Sequence, residues 1–124
     1  MTLQAYVVYP KRGEPITVDF RRFEIIDNKL HLYDKYDSVA EDRLIVLENV
    51  AALVPVNQRR TDGRFRVTLR HSRSFEICAD SFKIDEPQML RFFCRQYDQQ
   101  KEIKEVYVAV AELIAIFPIR YDGW

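Results

Sequence analysis

The sequence predicts an all-β fold made of two similar halves, and two observations carry that expectation. Short apolar runs rich in Val, Ile, Phe and Tyr alternate with turn residues along most of the chain, which is the pattern of strands. The pattern also recurs about 60 residues further on. Val7 returns as Val67, Leu30 as Leu90, Leu32 as Phe92, Tyr33 as Phe93 and Val46 as Val106. Val50-Ala51-Ala52-Leu53-Val54 returns as Val110-Ala111-Glu112-Leu113-Ile114. A period of that size points to a duplicated structural unit. Such a unit alone buries little surface. The expectation is therefore one compact domain over 1–124, with pseudo-repeats at about 1–58 and 64–119 and a short tail. The two β-meanders would form a duplicated small barrel or sandwich of eight to ten strands.

In the first half, Ala5–Tyr9 reads as a strand and Pro10–Pro15 as a turn. Ile16, Val18 and Phe20 alternate, and Phe23–Ile25 continues past a bulge at Arg21-Arg22. Asp27-Asn28 is a hairpin turn signal, followed by Leu30–Leu32. Asp34–Asp42 is polar and reads as a loop. Leu44–Leu47 and Val50–Val56 are strands parted by Glu48-Asn49. Thr61-Asp62-Gly63 turns the chain into the second half. There Phe65–Leu69, Phe75–Cys78, Phe82–Ile84, Leu90–Phe93 and Val106–Phe117 follow the same order. Arg70–Ser74 reads as a turn and Gln96–Lys101 as a polar loop.

A second register competes with the first. Arg21-x-Phe23-Glu24-Ile25 matches Arg73-x-Phe75-Glu76-Ile77 at a shorter offset. The longer register is preferred because it covers both halves end to end. One segment also admits an α+β alternative, with a helix near 86–99. Asp85-Glu86-Pro87 resembles a helix start, and Met89, Leu90, Phe93 and Tyr97 fall at helical spacing.

Formal net charge is zero, from 19 basic and 19 acidic residues. No global field therefore draws the protein to nucleic acid or membrane. Three glycines are too few for a glycine-built phosphate loop. Cys78 and Cys94 read as reduced core thiols rather than a disulfide framework. The N-terminus lacks a signal-peptide pattern, and the apolar stretch Val106–Ile119 is broken by Glu112 and Pro118. Those features set the expectation of a cytoplasmic protein that does not enter a membrane.

The strongest local signal is basic. Arg59, Arg60, Arg64, Arg66, Arg70 and Arg73 fall in one short segment whose only acid is Asp62. With Phe65, Val67 and Leu69 facing inward, Arg64, Arg66 and Arg70 lie on the other face. Guanidinium groups fork onto carboxylates or phosphates. Asp34, Asp37, Glu41 and Asp42 cluster on the polar loop but lack the spacing of a calcium loop. His31 and His71 have no third ligand at metal spacing. No catalytic motif and no cofactor loop is present. Trp124 would cap its own fold.

The function expected from these features is a non-catalytic interaction module of the adaptor, inhibitor or assembly type. It would use no cofactor and no metal, and contact a protein partner through strand edges or the arginine hairpin. Edge strands could also join copies into a homo-oligomer. Single-stranded nucleic acid or RNA at Arg59–Arg73 is the second reading. A small enzyme with a groove between the halves is the third.

Overall fold

The computed structural model describes residues 3–34, 43–85 and 89–119. Among them the chain is all-β, as expected, and forms several small antiparallel sheets. It divides into two compact units, Met1–Asn57 and Gln58–Trp124.

The first unit holds β1 (Gln4–Pro10), β2 (Ile16–Phe20), β3 (Arg22–Ile26), β4 (Lys29–Tyr33), β5 (Arg43–Val46) and β6 (Val50–Pro55). β1 lies between β2 and β6, and β4 lies between β3 and β5. Residues of period two turn inward from these strands. Tyr6 and Val8 of β1 are buried, as are Leu30 and Leu32 of β4. Phe20 stacks on Tyr6 with ring centroids 4.0 Å apart. Phe23 meets both rings edge-on, at 6.4 and 6.3 Å. That offset-and-edge cluster is the arrangement aromatic quadrupoles favour. The backbone kinks at Arg21, whose N–H donates to the Tyr33 carbonyl at 2.9 Å.

The second unit holds β7 (Arg64–Leu69), β8 (Arg73–Cys78), β9 (Ser81–Asp85), β10 (Met89–Gln96), β11 (Gln99–Ile103), β12 (Tyr107–Val108) and β13 (Leu113–Pro118). β7 lies between β8 and β13, and β10 lies between β9 and β11. Val67, Leu69, Ile77, Leu90 and Phe92 are fully buried. Phe65 and Phe82 meet edge-on at 5.2 Å.

Connectivity and cross-strand partners recur between the units. Phe23 pairs with Leu32 and Ile25 with Leu30. Phe82 pairs with Phe92 and Ile84 with Leu90 in the same way. Val8 lies opposite Ile16 and Leu53, and Val67 lies opposite Phe75 and Ile116. The recurrence therefore passes through Val8 and not Val7. The short word Arg-x-Phe-Glu-Ile joins β3 to β8, two strands with different places in their units. The match of Val50–Val54 to Val110–Ile114 is three residues out of step. Val110–Glu112 is a 3-10 turn, like Leu47–Asn49, and the strand after each turn begins at Leu113 and Val50. A purely apolar run cannot place that boundary, because turn and strand both accept Val and Ala.

Other expectations are corrected. The sheets are not closed into a barrel, and strands such as β3, β5, β9 and β11 pair on one side only. Thirteen strands are present among the described residues rather than eight to ten. Part of the difference is the break at Arg21 and the strand β11, which replaces most of the expected polar loop 96–101. The helix near 86–99 is also overturned, since Met89–Gln96 is a strand with partners on both sides. Leu90, Phe92 and Cys94 are buried at period two, whereas Tyr97, needed for the helical face, is 92% exposed. The acidic loop positions Asp37, Glu41 and Asp42, and Trp124 in the tail, lie outside the described residues.

Candidate functional site

The arginine-rich segment does not act as one patch. Its members divide by what lies across the sheet. Arg66 sits opposite Glu76 in the β7–β8 register. Glu76 faces both Arg66, at 3.6 Å, and Arg64, at 3.5 Å. Arg70 lies 3.5 Å from Glu112, and the Arg73 Nε donates to the Arg70 carbonyl at 3.3 Å. These four are neutralised or engaged locally, as cross-strand opposite charges commonly are.

Arg59 and Arg60 are placed differently. They follow Gln58, whose side-chain amide clasps the edge of β8. Its Nε2 donates to the Glu76 carbonyl at 2.8 Å, and its Oε1 accepts the Cys78 N–H at 2.7 Å. One side chain thus supplies the donor and the acceptor that a neighbouring strand would supply. Beyond the arginines, the Thr61 hydroxyl donates to the Gly63 carbonyl at 2.6 Å. Gly63 approaches the backbone that follows β8 so closely that a Cβ there would stand 2.5 Å from the Ala79 carbonyl oxygen. A side chain is excluded by contact with rigid backbone.

Asp80 closes the arrangement. Its Oδ1 accepts the Gly63 N–H at 3.1 Å, and its Oδ2 accepts the Arg95 N–H at 2.6 Å. The Asp80 N–H donates to the Phe93 carbonyl at 2.8 Å. This one carboxylate fastens the 59–63 segment to β10 through charge-assisted hydrogen bonds. The result is an open cleft of about 240 Å³ lined by Arg59, Arg60, Thr61, Asp62, Asp80, Cys94, Arg95 and Gln96.

Three arginines therefore line one cleft with two aspartates. Asp80 spends both oxygens on backbone N–H groups. Among the described residues no ion pair joins Arg59, Arg60 or Arg95 to an acid. Arg95 and Asp80 were missed by the sequence reading. Parity along β10 could have found Arg95, since Leu90, Phe92 and Cys94 point inward and Arg95 follows them outward.

The cleft lining includes Cys94, a buried cysteine that forms no disulfide, and no histidine. His71 sits at φ 67° in an exposed turn. No group of three or more His, Cys, Asp or Glu among the described residues is arranged to hold a metal ion. No helix among them is long and apolar enough to cross a membrane. No protein-family model matches this chain, and no curated protein or solved structure does either.

Proposed function

We propose that this chain is a non-catalytic binding module whose cleft of Arg59, Arg60 and Arg95 receives carboxylates of a protein partner. The observation that carries this reading is the division of the arginines. Arg64, Arg66 and Arg70 lie within ion-pair distance of acids of their own unit, whereas among the described residues none of the three in the cleft does, although Asp62 and Asp80 share its lining. Guanidinium forks match carboxylate geometry and lose little entropy in pairing. The competing nucleic-acid reading has less support. No aromatic side chain lines the cleft for stacking, and zero net charge supplies no long-range attraction to a polyanion.

The test is a titration of the ¹⁵N-labelled chain with a short Asp/Glu peptide, followed by amide chemical shifts. Shifts are expected at residues 59–63, Asp80 and Arg95, diminishing with added salt. The double change Arg59→Gln, Arg60→Gln should weaken binding about tenfold or more. Shifts confined to other residues would overturn the proposal. So would an oligouridylate that perturbs the same amides at lower concentration than the peptide.

Two finer readings belong here as well. The recurring connectivity supports a duplicated origin for the units. Relatives in which the pairs Phe23–Leu32 and Phe82–Phe92 do not keep the same apolar character would count against it. The free thiols of Cys78 and Cys94 support a reducing, cytoplasmic location, which cell fractionation would check.

A further inference from the structure

We infer that Tyr97, at the tip of the β10–β11 hairpin, is the aromatic anchor of this protein-binding surface, covered by an apolar side chain next to the partner's acidic residues. The inference rests on the reading of the cleft as a partner site and adds the partner's second chemical feature.

Tyr97 and Asp98 form a two-residue hairpin turn with φ 51° and 62°. Both values lie in the left-handed region, where a side chain crowds the backbone. Such turns favour Asn, Asp and Gly. The first unit has a turn with the same two angles and fills it with Asp27-Asn28, two residues suited to it. Tyr97 is a costly choice at the equivalent kind of position.

The fold gains nothing visible in return. Tyr97 is 92% exposed, so its ring buries almost no surface within the chain. No ring contact or hydrogen bond of its side chain occurs among the described residues. Local choices that work against the fold tend to mark places where function sets the residue.

Position supplies the rest of the argument. Gln96, the residue before Tyr97, lines the arginine cleft, and Arg95 precedes it. Tyr and Arg side by side are the composition of interface hot spots. A tyrosine ring offers large contact area with few rotatable bonds to immobilise. Charge complementarity selects the acidic half of the occupant, and the exposed ring selects an apolar neighbour for it. A single exposed ring offers no platform for stacking successive bases, so a protein segment is the occupant.

The test compares wild type with Tyr97→Asn, using two acidic peptides that differ only in a central pair, Leu-Leu or Ser-Ser. Wild type should bind the Leu-Leu peptide about tenfold or more tightly than the Ser-Ser peptide. Tyr97→Asn should lose that preference, keep the cleft shifts with the Ser-Ser peptide, and melt about 2–4 °C higher. Equal affinity of wild type for both peptides would overturn the role of Tyr97 and leave the cleft reading standing. Absence of cleft shifts with either peptide would overturn the cleft reading itself. A lower melting point for Tyr97→Asn would mean that the ring supports the fold, and would also overturn the inference. Tighter binding of an oligouridylate, with quenched tyrosine fluorescence, would reassign the surface to nucleic acid.

Discussion

Arg91 makes the best-formed ionic contact in the second unit. Its Nε and Nη2 donate to the two Glu102 oxygens at 2.7 and 2.8 Å, and its Nη1 lies 3.2 Å from Asp85. The guanidinium also lies over the Phe93 ring, 5.7 Å from its centroid. It therefore ties β9, β10 and β11 together on one face. The hydrogen bond from Arg91 holds the Glu102 carboxyl below its usual range, against an opposing effect of partial burial. A carboxylate whose pKa is depressed on folding stabilises the fold above its unfolded value and ceases to do so as pH falls. Glu102→Gln should thus lower stability by about 1 kcal/mol at pH 7. That gap should close as pH drops below the ordinary glutamate range, near 4.5. Thermal melts of both proteins at pH 7 and pH 3 check this, and a gap as wide at pH 3 as at pH 7 would refute it. Arg91 and Glu102 were not legible as a pair, because they lie eleven positions apart on either side of a hairpin turn. Only the register brings Arg91 between its acids.

The elements around the cleft depend on edges. β8 is the edge strand of its sheet, and edge groups left open invite unwanted pairing. Gln58 covers two of those groups with one side chain. Gln58→Ala should lower stability by about 1–2 kcal/mol and speed hydrogen exchange at the Cys78 amide. Unchanged exchange there would show that the clasp does not hold in solution. The same substitution should also loosen Arg59 and Arg60, which hang from the clasp. Arg59 and Arg60 were legible as basic residues near a turn. Their separation from Arg64, Arg66, Arg70 and Arg73 was not, because it depends on where the strand holding Glu76 and the 3-10 turn holding Glu112 lie. The alternative of a helix near 86–99 failed at this scale too. Met89, Leu90 and Phe93 fall at helical spacing while Leu90, Phe92 and Cys94 fall at period two, and the pairing of β10 with two neighbours selects the strand.

For the whole molecule, charge balance has a direct consequence. With 19 basic and 19 acidic residues, repulsion between copies is weakest near neutral pH, where proteins associate most readily. Solubility should therefore pass through a minimum near neutrality and rise on either side. Light scattering across pH would show this, and scattering that does not peak near neutrality would refute it. The exposed apolar side chains Ile114 and Phe117 on the edge strand β13 should make that minimum more pronounced.

The all-β character and the alternation that turns Leu30, Leu32, Val67 and Leu69 inward were determined by sequence alone. They depend on local propensity and a period of two, which any stretch of chain carries with it. Tertiary structure decided the open sheets in place of a barrel, the three-residue displacement at Val110–Glu112, and the division of the arginines. It also decided that Asp80 joins Gly63 to Arg95, and that Tyr97 stands exposed next to the cleft lining. Each of those depends on which distant residue lies opposite, and pairing across a sheet is a property of the fold rather than of the segment.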